Sequence, residues 1–109
     1  PSRPEYGPVW LDLASRTIQM KGSDTSSKPL TSYEYQVMWL LTRAKGELVF
    51  SRTIRDFLEE NLPDDTDLPL SNSMEHMVVR LRRKLSDLVG NQLTIEQERG
   101  FGYRLKLKV

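Results

Sequence analysis

Four cations fall within five residues, Arg80, Arg82, Arg83 and Lys84, and His76 lies one helical turn before Arg80. A guanidinium is a planar, permanently charged fork that matches phosphate oxygens and the O6/N7 edge of guanine. A cluster of such groups is chemistry for holding a polyanion. Chemistry for making or breaking bonds is not in view. The chain has one histidine and no cysteine, and no pair of carboxylates sits on a recognisable structural element, so no catalytic set can be assembled. A single histidine excludes a multi-histidine metal site, and without cysteine there is no thiolate nucleophile, disulfide framework or cysteine-based zinc. The chain reads as a non-enzyme that needs no cofactor.

Cations in a row are often only a solvated helix face, and the charge distribution decides against that here. Residues 79 to 109 carry eight Lys and Arg against three acids, a net of +5, while residues 1 to 78 carry eight against twelve, a net of −4. A total of +1 therefore hides a basic C-terminal third, an asymmetry that points to a polyanionic partner. Val79, among the cations, is an aliphatic that can meet a thymine methyl.

These residues need an element to hold them, and Asn72 to Val89 supplies it. Met74, Val78, Leu81, Leu85 and Leu88 recur at spacings of four and three, one apolar stripe of a helix. The opposite face carries His76, Val79, Arg80 and Arg83, with Arg82 and Lys84 on the flanks. Asn72 with Glu75 fits a capping box, and Gly90 offers a left-handed stop. A helix of about five turns with a basic outer face has the shape and charge to enter a DNA major groove.

The rest of the chain, 109 residues in all with 38% hydrophobic and 28% charged, is ordinary for one small globular domain. Its longest apolar run, Val37 to Leu41, is far too short to span a bilayer, and no secretory signal opens it. No membrane partner is expected, and a cytoplasmic setting is. The opening Pro-Ser-Arg lacks a methionine, as in a fragment. Residues 1 to 8 read as a linker or disordered lead-in, with the domain at 9 to 109. Val9 to Ala14 and Arg16 to Met20 read as a hairpin, with Lys28 to Leu30 as a short third strand. Thr31 with Glu34 is a second capping box, opening a helix that buries Tyr33, Val37, Leu40 and Leu41, with Tyr35, Met38 and Trp39 nearby, and ends near Lys45. Ser51 is the N-cap of the next helix, in which Ile54, Phe57 and Leu58 face inward. Glu59 to Leu70 holds five acids, two prolines and no base, a connector. Leu93 to Gln97 and Phe101 to Leu107 are strands of a second hairpin, the latter alternating Tyr103, Leu105 and Leu107 against Arg104, Lys106 and Lys108.

A helix–turn–helix followed by a hairpin is the outline of a winged helix. Arg99-Gly100-Phe101-Gly102-Tyr103-Arg104-Leu105 resembles the RGxGYRL of OmpR/PhoB-type response regulators. Arg80 to Leu85 resembles that family's RLRxKL, Leu30 to Tyr35 its LTxxEf, and Gly46 and Ser51-Arg52 sit where it has a glycine and an SR pair. The resemblance runs from about Val9 onward. It implies an α+β winged helix-turn-helix with a four-stranded N-terminal antiparallel sheet, three helices and a C-terminal β-hairpin wing.

What the resemblance implies for function is sequence-specific binding of double-stranded DNA by a bacterial transcriptional regulator of a two-component system. The third helix enters the major groove and the wing touches the minor groove. His76 and Arg80 match base-reading positions, Val79 and Arg82 lie in the phosphate-contacting zone, and Arg99 matches the wing arginine. Arg83, on the same basic face, joins them as a phosphate contact. A homodimer on paired half-sites is expected. Asp64, Asp65 and Asp67 fall in the loop with which the family commonly contacts RNA polymerase. The chain departs from the family at Met77, where many members have a phosphate-contacting histidine, at Val79, where many have Arg or Ser, and at Glu98, where a small apolar residue is usual. Those three residues support a competing reading, a degenerate winged helix that serves as a protein-protein interaction module.

Overall fold

The computed structural model describes residues 3–23, 25–61 and 71–108. Four short strands, β1 (Glu5–Tyr6), β2 (Val9–Asp12), β3 (Thr17–Met20) and β4 (Ser27–Pro29), form an antiparallel sheet in the order β1-β2-β3-β4. Three helices follow, α1 (Ser32–Arg43), α2 (Ser51–Asn61) and α3 (Ser71–Val89). The chain ends in the hairpin β6 (Leu93–Glu98) and β7 (Gly102–Leu107), which β5 (Val49–Phe50) extends to a three-stranded sheet in the order β5-β7-β6. This is the α+β winged helix-turn-helix that the family resemblance implies.

The first helix starts where its side chains cap it. Thr31 Oγ1 accepts from the Glu34 N–H at 3.1 Å, and Glu34 Oε1 accepts from the Thr31 N–H at 2.8 Å. Two donors that a helix N-terminus would leave unsatisfied are thereby paired. It ends at Arg43, two residues before the expected Lys45, which instead takes φ 50° ahead of Gly46. The buried face of α1 is Tyr35, Val37, Met38 and Leu41, with Tyr33 and Leu40 only half-buried. The helix packs on β1 and β2 on one side and on α2 and β7 on others, which rotates its buried arc away from the expected stripe.

Two strands carry no local pattern in the sequence. Glu5–Tyr6, expected in a disordered lead-in, pairs with Val9 and Trp10 of β2, so the sheet begins four residues early. Val49–Phe50 pairs with Gly102 and Tyr103. Each is two residues long, and what makes it a strand is the remote partner rather than any local pattern.

The third helix behaves as its periodicity requires, with one widening. Met74, Val78, Leu81 and Leu85 are buried as expected, Leu88 is half-buried, and Met77 and Val89 are buried as well. The helix rests on β6 while also touching β3 and β4, and two supports need an apolar arc broader than one stripe. Gly90 follows at φ 64°. The expected Asn72 cap lies outside the described side chains.

Candidate nucleic-acid interface

Burying that arc turns the remaining face of α3 outward. Glu75, His76, Val79, Arg80 and Arg83 are exposed, and Val79 keeps 47% of its surface in solvent. Met77 is not among them. At 2% exposure it fills the core, so its place in the sequence says nothing about phosphate.

The wing stands beside this face. Its tip is a tight turn in which the Phe101 N–H donates to the Glu98 carbonyl at 2.9 Å, with Gly100 at φ 83°. Positive φ at the third residue of a turn is strained for a side-chain-bearing residue and free for glycine. Alternation along β6 then separates two faces. Leu93 and Ile95 are buried, and Gln97 opposite Tyr103 continues that inner side. Glu96 and Glu98 lie on the outer side, where Arg104 pairs with both and Lys106 reaches Glu96 at 3.1 Å. The outer cations of the wing are thus neutralised by its own acids, and Glu98 is held away from α3.

Between α3 and the wing runs a groove lined by Glu75, Val79, Arg82, Gln97, Arg99 and Tyr103. Arg82 is tied into it: its Nε–H donates to the Ile95 carbonyl at 2.7 Å. One donor joins helix to wing, and the rest of the guanidinium is left for an anion. Burial pushes the Tyr103 hydroxyl up, the charge of Glu75 adds to that, and Arg82 opposes it. A second cleft, lined by Arg52, Arg55, Glu75 and Phe101 among others, lies where α2 begins. Its helix N-terminus and two arginines favour negative charge. Sequence reasoning singled out none of Glu75, Gln97, Arg52, Arg55 and Phe101 as site residues. The signal for Arg52 and Arg55 was there, since the first helix of such a motif crosses the DNA backbone. For Gln97, alternation counted from Leu93 would have sufficed.

Arg80 and Lys84 converge on one buried carboxylate. Glu34 is 1% exposed. Lys84 Nζ donates to its Oε1 at 2.6 Å and to the Pro29 carbonyl at 2.8 Å, and Arg80 Nε lies 3.6 Å from Oε2. Lys84 is therefore spent on the fold, whereas Arg80, whose side chain is 55% exposed, lies within ion-pair distance of Glu34 without a hydrogen bond to it. Burial pushes the Glu34 carboxyl up. The Lys84 hydrogen bond, the Thr31 N–H and the charges of Lys84 and Arg80 outweigh it and hold the group below its ordinary 4.5. A carboxyl more acidic folded than unfolded contributes stability that is complete above the unfolded value and is lost as pH falls through the folded one. Acid titration below about 4.5 should therefore lower the unfolding midpoint of the wild type more than that of Glu34→Gln, measured by circular dichroism. Equal acid sensitivity of the two would contradict the ion pairing.

The six residues expected at a DNA surface, His76, Val79, Arg80, Arg82, Arg83 and Arg99, all lie on the exposed α3 face or in the adjoining groove. Of the three features behind the competing protein-module reading, Met77 is core and Glu98 is paired with Arg104, which leaves Val79. Asp64, Asp65 and Asp67 lie outside the described residues. Among the described residues there is no group of three or more potential metal ligands, and no helix is long and apolar enough to cross a membrane.

Comparison with known proteins gives this surface a context. Residues 25–105 match the family model described as "Transcriptional regulatory protein, C terminal". The cell cycle response regulator CtrA of Brucella ovis is 29% identical over 100 residues, covering 92% of this chain and 40% of the relative. The chain thus spans about two-fifths of the length of that curated relative. Among solved structures, the C-terminal domain of the nisin resistance regulator NsrR superposes with a TM-score of 0.75 at 20% identity, covering 95% of this chain and 96% of the other. The DNA-binding domain of the response regulator AdeR, solved in complex with an intercistronic region, gives 0.71 at 19% identity, covering 95% and 99%. At such identities the likeness is one of fold.

Proposed function

We propose, because this chain belongs to the family of transcriptional regulatory protein C-terminal domains, that it binds double-stranded DNA in a sequence-specific manner to regulate transcription. The family is one of transcription regulators rather than of enzymes. The observation that carries the reading is the continuous surface formed by the exposed α3 face and the wing groove, where His76, Arg80, Arg83 and Arg99 stand clear of the acids that neutralise the wing's outer side. AdeR, of similar fold, was solved with DNA bound, which supports the same use here.

The proposed mechanism divides the labour. Arg82, Arg83 and the α2 arginines Arg52 and Arg55 meet phosphates, giving affinity that weakens with salt through counterion release. Arg80 forks onto guanine O6/N7, His76 contacts a neighbouring base edge, and Val79 packs on a thymine methyl. Glu75 adds an acceptor that suits the N4 amino group of cytosine. Arg99 enters the minor groove, where an A-tract's narrow width deepens the negative potential. One helix and one wing cover a short site, so a homodimer on two half-sites follows, and the acidic residues Asp64, Asp65 and Asp67 are proposed to meet RNA polymerase.

The wing tests the reading. Arg99→Ala should weaken binding about tenfold, the order of one charge-assisted contact, and mostly at sites with an A/T-rich flank. Glu98→Gln should change little, because the carboxylate it replaces faces Arg104. A clear gain from Glu98→Gln that shrinks as salt rises would mean that Glu98 points at the backbone, and an unchanged Arg99→Ala would remove the wing from the site.

A further inference from the structure

The carboxylate of Glu34 does more than a helix cap requires. In a capping box the side chain needs one acceptor, and glutamine serves as well as glutamate. Here that acceptor is Oε1, which takes both the Thr31 N–H and the Lys84 ammonium. The second oxygen, Oε2, is buried with no hydrogen-bond partner among the described residues, and the cation within ion-pair distance of it is Arg80, through Nε at 3.6 Å. A buried charge with half its acceptor capacity unused is costly unless a partner repays the desolvation. Thr31 lies three residues before Glu34 in sequence and Arg80 forty-six after it, so the same side chain joins the start of α1 to the reading face of α3.

The chemistry of Arg80 makes that link useful. A guanidinium drawn to a carboxylate on its Nε side still presents both terminal nitrogens, the end-on fork that a guanine edge accepts. An unanchored arginine loses several freely rotating torsions on binding, and anchoring it beforehand removes part of that loss. Glu34 has a second, opposite effect. Its negative charge subtracts from the basic face, whose four cations in five residues repel one another, and so weakens attraction for any duplex.

We propose that Glu34 is a positioning residue for base reading, which holds Arg80 by its Nε and trades general affinity for discrimination. This rests on the assignment of Arg80 to a base. In Glu34→Gln the cap acceptor is retained, and the oxygen facing Arg80 becomes an amide or is left without charge, so the guanidinium is released.

The test compares wild type, Glu34→Gln, Arg80→Ala and the double variant. Affinities are measured for a duplex selected from a random pool, for that duplex with each base pair substituted in turn, and for a random duplex. Glu34→Gln should bind random duplex at least as tightly as wild type, with a steeper salt dependence. Its preference at the base pair where Arg80→Ala loses discrimination should fall about three- to tenfold, and the double variant should fall no further than Arg80→Ala. Wild-type preference in Arg80→Ala would overturn the base-reading assignment and this proposal with it. Lost preference in Arg80→Ala but retained preference in Glu34→Gln would overturn this proposal alone. The wild-type protein gives an independent readout. Free of DNA, the Arg80 Nε should be less mobile than that of the exposed Arg83, by nitrogen-15 relaxation of the side chains, and equal mobility would overturn the positioning even if Glu34→Gln failed to fold.

Discussion

Gly102→Ala should cost about 3 kcal/mol or more of folding stability, at the upper end of what overpacking does. A Cβ at Gly102 would stand 2.0 Å from the Val49 carbonyl oxygen and 2.8 Å from the Phe50 Cα. Both are backbone atoms of β5, paired with β7 in register, and they cannot rotate aside as a side chain would. The strands would have to part, and with them the bond by which the Ser51 N–H at the start of α2 donates to the Phe101 carbonyl at 2.9 Å. Gly100→Ala is the comparison. Space is open around it, with nothing within 4 Å, and its cost is that of a side chain at φ 83°, about 1–2 kcal/mol. Urea unfolding of both variants checks this, and a Gly100→Ala that costs as much as Gly102→Ala would contradict the distinction between a close approach and a left-handed turn.

Arg80→Ala should cost about 1–3 kcal/mol of binding at the base pair it contacts and relax preference there. Arg83→Ala should weaken all sequences alike and reduce the salt slope by about one unit, because a phosphate contact carries no sequence information. The two side chains differ in surroundings. Arg83 is exposed with no carboxylate in ion-pair range among the described residues, whereas Arg80 lies 3.6 Å from Glu34. Leu81→Ala, at a site only 1% exposed, is the control, since it should lose about 2–5 kcal/mol of stability and bind less through unfolding. Equal loss of sequence preference in Arg80→Ala and Arg83→Ala would sink the assignment of one to bases and the other to phosphates.

The sequence made α3 and its exposed cations legible because nineteen residues give a 3.6-residue period enough turns to declare itself, with Gly90 marking the end. The wing was legible through two glycines and the Tyr103/Leu105 alternation, although the division of labour between Gly100 and Gly102 needed the position of Val49. What stayed hidden was set by partners far along the chain. The strands β1 and β5 have two residues each, too few for a pattern, and exist by pairing with Trp10 and Tyr103. Glu34 was readable as a cap for Thr31, three residues away. Its contacts with Lys84 and Arg80 join residues about fifty positions apart, and no local rule reports them. Met77 is core for a related reason: a residue one step off the apolar stripe is buried only if the helix has two supports.

The most direct measurement of the central claim is selection of duplexes from a random pool, followed by titration of the enriched and a scrambled duplex at several salt concentrations. Four or five phosphate contacts per protomer predict a slope of log affinity against log salt of roughly −4 for each protomer bound, on both duplexes. Two or three base contacts at about 1–3 kcal/mol each predict that the enriched duplex binds on the order of a thousandfold or more tighter than the scrambled one at every salt. A pool in which nothing enriches, with enriched and scrambled duplexes bound alike or not at all at low salt, would contradict sequence-specific DNA binding by this surface.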